Sequence, residues 1–218
     1  MNKLFAIFDM DGTLVDSMVY WQRLGREYLA SRGVTEGVDE VLERIKAMTM
    51  AESSALFIET FGLPGTPETV EAEMNAVMDG HYRSDIPLKP GAAHYLAALK
   101  ARGTKMCVAT ATPEPLARAC LKRLGVLEDF AFLLSCDEVA AGKDRPDVFF
   151  EAARRLGSAP AETAAFEDAL FAARTAKDAG FYTVGVYDAS GDGHWNELTA
   201  LSDETVRDWG AAAEMIKT

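Results

Sequence analysis

The sequence is poor in cysteine, with only three residues of this type among 218. Cys107, Cys120 and Cys136 are odd in number and form no C-x-x-C pair, so we do not expect a disulfide framework. Cys107 lies inside an apolar run, where a cysteine usually behaves as a small buried side chain. The cysteines therefore offer no candidate for a reactive thiol.

Basic residues are scarce relative to acidic ones. The chain has 22 Lys and Arg against 34 Asp and Glu, and its formal net charge is −12. A surface this acidic repels nucleic acids and anionic membranes, so we expect neither as a partner. The acidity does not exclude a phosphorylated substrate, because local cations and a bound metal can invert the field inside one cleft.

Long apolar runs are also missing. No run approaches the length that spans a bilayer, and the apolar start of the chain is interrupted at Asp9, too early for a signal peptide. We therefore expect a cytoplasmic protein, with a monomer as the default oligomeric state.

What the sequence has instead is an alternation of short apolar runs and helical patterns. The apolar runs are Leu4–Phe8, Lys105–Thr110, Phe132–Ser135, Thr163–Phe166 and Tyr182–Val186. The helical patterns between the later runs are Ala92–Arg102, Glu114–Leu124, Asp147–Leu156 and Phe171–Ala179. Strands that alternate with helices of this length predict an α/β fold, in which a parallel sheet carries helices on both faces.

One stretch breaks the alternation. Residues 17–85 contain helical patterns and no convincing strand, which predicts an all-helical subdomain inserted after the first strand. The core should then consist of residues 1–16 and 86–218. Beyond Asp188 the pattern is less regular, and we expect Trp195 and Trp209 to pack nearby amphipathic segments onto the core.

The most informative segment is DMDGTLVDS, residues 9–17, directly after the first predicted strand. Alternation along an extended tip places Asp9 and Asp11 on the same side. Two carboxylates this close need a shared task or a cation, and a divalent ion would keep Asp9 ionised while Asp11 carries a proton. Gly12 permits the sharp turn. The alternative is a polar turn whose Asp side chains cap backbone N–H groups.

This segment resembles the first motif of the haloacid dehalogenase superfamily, in its phosphatase-type branch. Three later segments resemble the other motifs of that family, in the family's order: Cys107–Thr112, Gly142–Asp147 and Ala165–Asp168. The resemblance covers nearly the whole chain. It implies a Rossmann-like core, with the helical insertion of residues 17–85 as the family's cap.

The resemblance also implies a Mg²⁺-dependent phosphatase that hydrolyses a small phosphorylated metabolite through an aspartyl-phosphate. Asp9 would be the nucleophile and a metal ligand, and Asp11 the acid and base, with its backbone carbonyl on the metal. Asp168 would bind the metal directly and Glu167 through water. For Asp168 alone, a helix N-cap is the ordinary alternative.

Three further groups would hold the oxygens of the phosphoryl group. Lys143 supplies a positive charge, and the Thr110 hydroxyl and the Ala111 backbone N–H supply hydrogen bonds. The ordinary alternatives are a solvated surface position for Lys143 and a strand-end packing position for Thr110.

Other members of the superfamily provide the first alternative functions. Asp11 disfavours haloacid dehalogenases and phosphonate hydrolases, which lack an acid at this position. Mutases of the β-phosphoglucomutase type carry a His and an Arg where this chain has Trp21 and Met50. A mutase must bind a second phosphate with a cation, so these positions favour a phosphatase. Arg44 and Lys46 are candidate substrate contacts, or solvated residues of a helix surface.

A non-enzymatic alternative is a receiver domain of a signalling system. Receivers also combine an acidic cluster, a phosphate-accepting Asp, a Thr and a Lys on a parallel sheet. They carry the accepting Asp on a central strand of a smaller fold without a helical insertion. This alternative predicts a stable phosphoprotein without turnover.

Overall fold

A computed structural model describes residues 2–45 and 48–216 of the chain, so the candidate contact Lys46 lies outside the described residues. Its strands form one sheet in the order β3-β2-β1-β4-β5-β6, and every neighbouring pair is parallel. The strands are β1 (Phe5–Phe8), β2 (Lys105–Thr110), β3 (Leu133–Ser135), β4 (Thr163–Glu167), β5 (Tyr182–Val186) and β6 (Glu204–Val206). This order is that of a Rossmann-like fold, which confirms the predicted α/β class.

Helices follow the strands and fill the insertion after β1. They are α1 (Met18–Ser31), α2 (Val38–Ile45), α3 (Met50–Phe61), α4 (Pro67–Ser84), α5 (Ala92–Ala101), α6 (Glu114–Arg123), α7 (Cys136–Val139), α8 (Asp147–Leu156), α9 (Leu170–Asp178), α10 (Trp195–Leu201) and α11 (Trp209–Ile216). Short 3-10 helices lie at Leu127–Asp129, Pro160–Glu162 and Ala189–His194. Within the described part of the chain, no helix combines the length and apolar content needed to cross a membrane.

The chain divides into two compact units. The core unit comprises Met1–Met18 and Ile86–Thr218, and the helical unit comprises Val19–Asp85. In the helical unit, Thr49 caps α3 through a reciprocal pair of bonds with Glu52, and the helix ends at Gly62 with φ at +65°. The largest buried side chains of this unit include those of Tyr28, Leu29, Phe57, Met74, Met78 and Tyr82.

The central strand β1 is buried on both faces because helices cover each side of the sheet. Ile7 belongs to an apolar cluster that includes Phe149 of α8 and Ala172 of α9. Its neighbour Phe8 points to the other face, where its ring stacks on Phe166 at 4.2 Å between centroids. The residues that follow β1 and end β4 therefore rest on a rigid core.

Helix α8 places the loop that carries Lys143. It begins after Pro146 and ends at Gly157, where φ is +77°. Its buried positions recur at helical spacing and include Val148, Phe149, Ala152, Ala153 and Leu156. Packing of this face fixes the start of α8, and with it the preceding loop.

Candidate active site

The candidate site lies where β1 and β4 end side by side in the middle of the sheet. Phe8 pairs with Phe166, and the Asp9 backbone N–H continues the ladder to the Phe166 carbonyl at 3.0 Å. Asp9 and Glu167 are therefore level with each other just beyond the strands. In an open parallel sheet, this point of reversal in strand order is where ligands bind.

Three carboxylates meet at this point. One oxygen each from Asp9, Glu167 and Asp168 lies within 4.8 Å of the others. Oxygen donors of this kind suit Mg²⁺. If all three are ionised, the ammonium group of Lys143 leaves two negative charges, so a divalent cation fits both the donor set and the charge.

Lys143 joins two of these carboxylates. Its Nζ donates to Asp9 Oδ1 and, at 2.8 Å, to Glu167 Oε1. The residue is only 7% exposed, so the solvated surface position considered for it from sequence is wrong. Burial alone would lower the pKa of the Lys143 ammonium group, but the charges of Asp9 and Glu167 outweigh it and raise that pKa. Lys143 is therefore a fixed cation beside the predicted nucleophile.

Glu167 and Asp168 hold their protons more tightly than ordinary carboxylates. Burial raises the pKa of Glu167 well above its usual value, with Lys143 opposing the shift and Asp9 adding to it. Burial, followed by the charge of Asp9, raises the pKa of Asp168 to about 7. Both pKa values are raised because poor solvation and neighbouring negative charges disfavour the ionised carboxylate.

Asp168 packs tightly against the turn after β1. Thr13 Oγ1 donates to Asp168 Oδ1 at 2.9 Å. Gly12 has φ at +80°, and a Cβ at this position would lie 2.3 Å from Asp168 Oδ2. The residue before α9 is Ala169, whose side chain makes no capping bond, so the N-cap alternative for Asp168 is wrong. Only glycine leaves room here for the carboxylate.

Asp11 and Thr110 are linked by a residue that the sequence analysis did not assign. Thr112 Oγ1 donates to Asp11 Oδ2 at 2.6 Å, and the Thr112 backbone N–H donates to Thr110 Oγ1 at 3.0 Å. Thr110 ends β2 and is 1% exposed, whereas Ala111 is exposed. Thr112 could have been predicted from the pattern Thr110-Ala111-Thr112, which has a hydroxyl residue on each side of Ala111.

A second, largely buried ion pair was also missed. Asp188 follows β5, and Lys89 Nζ lies 2.8 Å from Asp188 Oδ2 and 2.8 Å from the Tyr187 carbonyl. Both charges act on Asp168, with Asp188 raising its pKa and Lys89 lowering it. Lys89 and Asp188 come from distant segments, and neither lies in a recognisable motif.

Comparison with known proteins gives a match along most of the chain. The model of a family described as haloacid dehalogenase-like hydrolase matches residues 5–180. The β-phosphoglucomutase of Bacillus subtilis (strain 168) is 31% identical over 197 residues, covering 83% of this chain and 82% of the relative. A phosphorylated carbohydrates phosphatase of Thermotoga maritima is 26% identical over 189 residues, covering 86% and 87%.

Solved structures agree with this match. A Thermotoga maritima protein provisionally named β-phosphoglucomutase superposes with a TM-score of 0.83 at 25% identity, covering 98% of each chain.

Proposed function

The chain belongs to the haloacid dehalogenase-like hydrolase family and is a phosphoric monoester hydrolase, and from this premise we propose a Mg²⁺-dependent phosphatase of small phosphorylated metabolites. The observation that carries the proposal is the cluster of Asp9, Glu167 and Asp168, of which the first two are buried, with Lys143 bonded to those two. A carboxylate nucleophile and a phosphate are both negatively charged, so the nucleophile needs neighbouring positive charge to approach phosphorus. The Lys143 ammonium and a cation held by the three carboxylates would provide it.

In the first step, a carboxylate oxygen of Asp9 attacks phosphorus and the bond to the leaving alkoxide breaks. Asp11 gives its proton to the leaving oxygen, and the product is an alcohol and an aspartyl-phosphate. Thr112 supports this role because its hydroxyl holds Asp11 in one orientation.

In the second step, Asp11 removes a proton from water, and the resulting oxygen attacks phosphorus. The bond between phosphorus and Asp9 breaks, which releases inorganic phosphate and restores the carboxylate. Lys143, the Thr110 hydroxyl and the Ala111 N–H bind the phosphoryl oxygens in both steps. A hydroxyl that accepts a hydrogen bond, as Thr110 does from Thr112, can still donate its own proton.

Asp9, Asp168 and the Asp11 backbone carbonyl would hold Mg²⁺ directly and Glu167 through water, and the ion when bound supplies positive charge to the transferring phosphoryl group. Gly12 and Thr13 support this assignment because they fit closely around the carboxylate of Asp168.

We also propose that the helical unit, Val19–Asp85, is the cap that selects the substrate. Two observations favour phosphorylated carbohydrates as the class to test first: the Bacillus subtilis relative is named for a phosphoglucose, and the Thermotoga maritima relative for phosphorylated carbohydrates.

The test is phosphate release from a panel of sugar phosphates and other phosphorylated metabolites, with and without Mg²⁺. Asp9→Asn should lower kcat by about 10³-fold or more, because the nucleophile is lost. Its fold should persist, because Lys143 keeps its bond to Glu167. Asp39→Asn, which removes an exposed charge on α2, is the matched control and should behave as wild type. Activity close to wild type in Asp9→Asn would refute the nucleophile assignment.

A mutase is the second candidate, because the relative with 31% identity is a β-phosphoglucomutase. A mutase would pass the phosphoryl group to a second sugar hydroxyl instead of water. Trp21 favours the phosphatase, since its indole N–H is engaged with the Tyr82 hydroxyl at 3.1 Å within the helical unit. Isomerised sugar phosphate without free phosphate would establish the mutase. A long-lived phospho-Asp9 without product would instead favour the signalling receiver.

A further inference from the structure

Helix α11 donates one buried hydrogen bond to the turn that follows β1. Trp209, the first residue of α11, is 3% exposed, and its indole Nε1 donates to the Thr13 backbone carbonyl at 3.1 Å. The bond joins residues 196 positions apart in the chain. Trp209 also lies outside residues 5–180, which the family model matches, so the family match assigns it no role.

The residue that Trp209 contacts is the one that holds Asp168. Thr13 accepts the indole N–H with its carbonyl and donates its own hydroxyl to Asp168 Oδ1 at 2.9 Å. The turn is closed by bonds from the Gly12 N–H to the Val15 carbonyl and from the Val15 N–H to the Met10 carbonyl, each 3.0 Å. These bonds restrain the backbone of the turn, so the bond to the Thr13 carbonyl helps to hold the backbone from which the Thr13 hydroxyl reaches Asp168.

The ring of Trp209 contacts the strands that carry the other two carboxylates. Its centroid lies 6.3 Å from that of Phe8 and 5.9 Å from that of Phe166, the residues immediately before Asp9 and Glu167. A third ring, Tyr95 of α5, lies 4.7 Å away. Trp209 thus contacts the supports of all three carboxylates of the predicted metal site.

The start of α11 is itself held firmly. A Cβ on Gly91 would lie 2.3 Å from the Gly210 backbone nitrogen, so the two segments are in direct contact. Asp208 Oδ1 accepts the Ala211 N–H at 2.6 Å, as an N-cap does. Trp209 is therefore placed by backbone packing, and its N–H is aimed by a rigid frame.

We propose that Trp209 is a positioning residue for the magnesium site, acting through Thr13 on Asp168 and through its ring on the strand ends of Asp9 and Glu167. The inference rests on the proposed function in one respect, namely that these carboxylates bind Mg²⁺. Outer partners that orient metal ligands commonly change metal affinity by about 10- to 100-fold when mutated. Trp209 is one bond further away than Thr13, so a smaller effect is expected.

The test is calorimetric titration of MgCl₂ into metal-free protein, which does not depend on activity. Trp209→Phe keeps an aromatic ring and removes the N–H donor. It should raise the Kd for Mg²⁺ by about 3- to 10-fold, and Thr13→Val by about 10-fold or more. Tyr95→Phe is the matched control, because it alters the same aromatic layer without touching the bond to Thr13, and its Kd should stay within twofold of wild type.

A merely structural role makes a different prediction. If Trp209→Phe lowers Tm but leaves the Mg²⁺ Kd within twofold of wild type, Trp209 only packs, and the proposal is overturned. Wild-type protein that does not bind Mg²⁺ overturns it as well. If Trp209→Phe does not fold, the indole N–H signal of Trp209 in wild-type protein is followed by NMR during the MgCl₂ titration. That signal should shift with the calorimetric Kd, and an unmoved signal refutes the coupling.

The outcome is separable from that of the proposed function. A raised Mg²⁺ Kd in Trp209→Phe, in a protein that hydrolyses none of the phosphate esters, leaves the positioning role intact and removes the phosphatase. Hydrolysis of phosphate esters by the wild type, with an unchanged Mg²⁺ Kd in Trp209→Phe, supports the phosphatase and overturns the positioning role.

Discussion

Single hydroxyl groups hold two of the acidic side chains of the site. Thr13 donates to Asp168 and Thr112 donates to Asp11, so each of these carboxylates has one oxygen fixed by a buried threonine. A carboxylate held in this way needs less reorganisation when a ligand arrives. At this scale, the threonines determine where the charges point, and the carboxylates supply the chemistry.

Thr112→Val tests the support of Asp11. Valine has nearly the same shape and cannot donate to Asp11, so the acid loses its fixed orientation while β2 keeps its packing. We expect kcat to fall by about tenfold, with little change in KM. This is less than the roughly 10²–10⁴-fold that a general acid–base contributes, because Asp11 itself remains. Steady-state phosphate release measures both constants.

Thr112→Ser is the control for this substitution, because serine retains the hydroxyl. It should recover most of the kcat lost in Thr112→Val. A Val variant as active as wild type would mean that Asp11 is oriented by another contact.

Among the strands and helices, local sequence patterns predict the positions of most strands. Strands β1 to β5 each follow from a short apolar run, with bounds within one residue of those observed. The sixth strand was missed because Glu204–Val206 is short and only Val206 in it is buried. Its register depends on pairing with β5, which local patterning does not encode.

The carboxylates of the site could be predicted because they lie in compact motifs directly after strands. Their threonine partners could not. Thr13 and Asp168 are 155 residues apart, and Thr112 and Asp11 are 101 apart. These contacts arise from the order of strands in the sheet, so they become visible only once the fold is built.

Helix α4 provides a prediction about pH in the helical unit. His81 lies near its end, with Nδ1 2.7 Å from Asp85 Oδ2 and Nε2 2.9 Å from Glu27 Oε2 of α1. Burial alone would lower the pKa of His81, but its bonds to Asp85 and Glu27 raise it overall. The bonds therefore stabilise the fold fully below the unfolded pKa of about 6.5, and this contribution is lost as pH rises through the raised folded value.

His81→Gln should remove that pH-dependent contribution. Partly exposed ion pairs contribute less than about 1 kcal/mol, so the difference in Tm should not exceed roughly 3 °C. It should be present at pH 6 and absent well above the folded pKa. Scanning calorimetry across this range measures it, and His194→Gln, which changes an exposed histidine, is the control. A Tm difference that grows with pH would contradict the assignment.

At the scale of the whole molecule, the concentration of negative charge opposes the stability of the metal-free fold. The chain carries a net charge of −12 and also gathers three acidic side chains at the ends of β1 and β4, two of them buried. Such a site is costly to the metal-free fold and gains stability when a cation binds. If the proposed cation binds there, metal binding and folding stability are coupled through the same carboxylates.

This coupling predicts a stabilisation by Mg²⁺ that grows with pH. The folded pKa of Asp168, about 7, lies above its unfolded value of about 3.9. The protonated carboxyl thus favours the metal-free fold at low pH, and this stability is lost as pH rises through about 7. Mg²⁺ at 100 times its Kd adds about 2.7 kcal/mol, or roughly 5–10 °C in Tm. We expect this increase to be larger at pH 8 than at pH 5.5, because ionised carboxylates bind the cation better.

Asp168→Asn separates the two effects. The amide cannot ionise, so the metal-free variant should lose less Tm than metal-free wild type as pH rises from 5.5 to 8. It should also lose most of the Mg²⁺-dependent increase, because the predicted ligand is gone. The measurement is the Tm of the wild type and of Asp168→Asn, each with and without MgCl₂, at pH 5.5 and at pH 8. An increase of equal size at both pH values, retained in the variant, would place the cation away from Asp168.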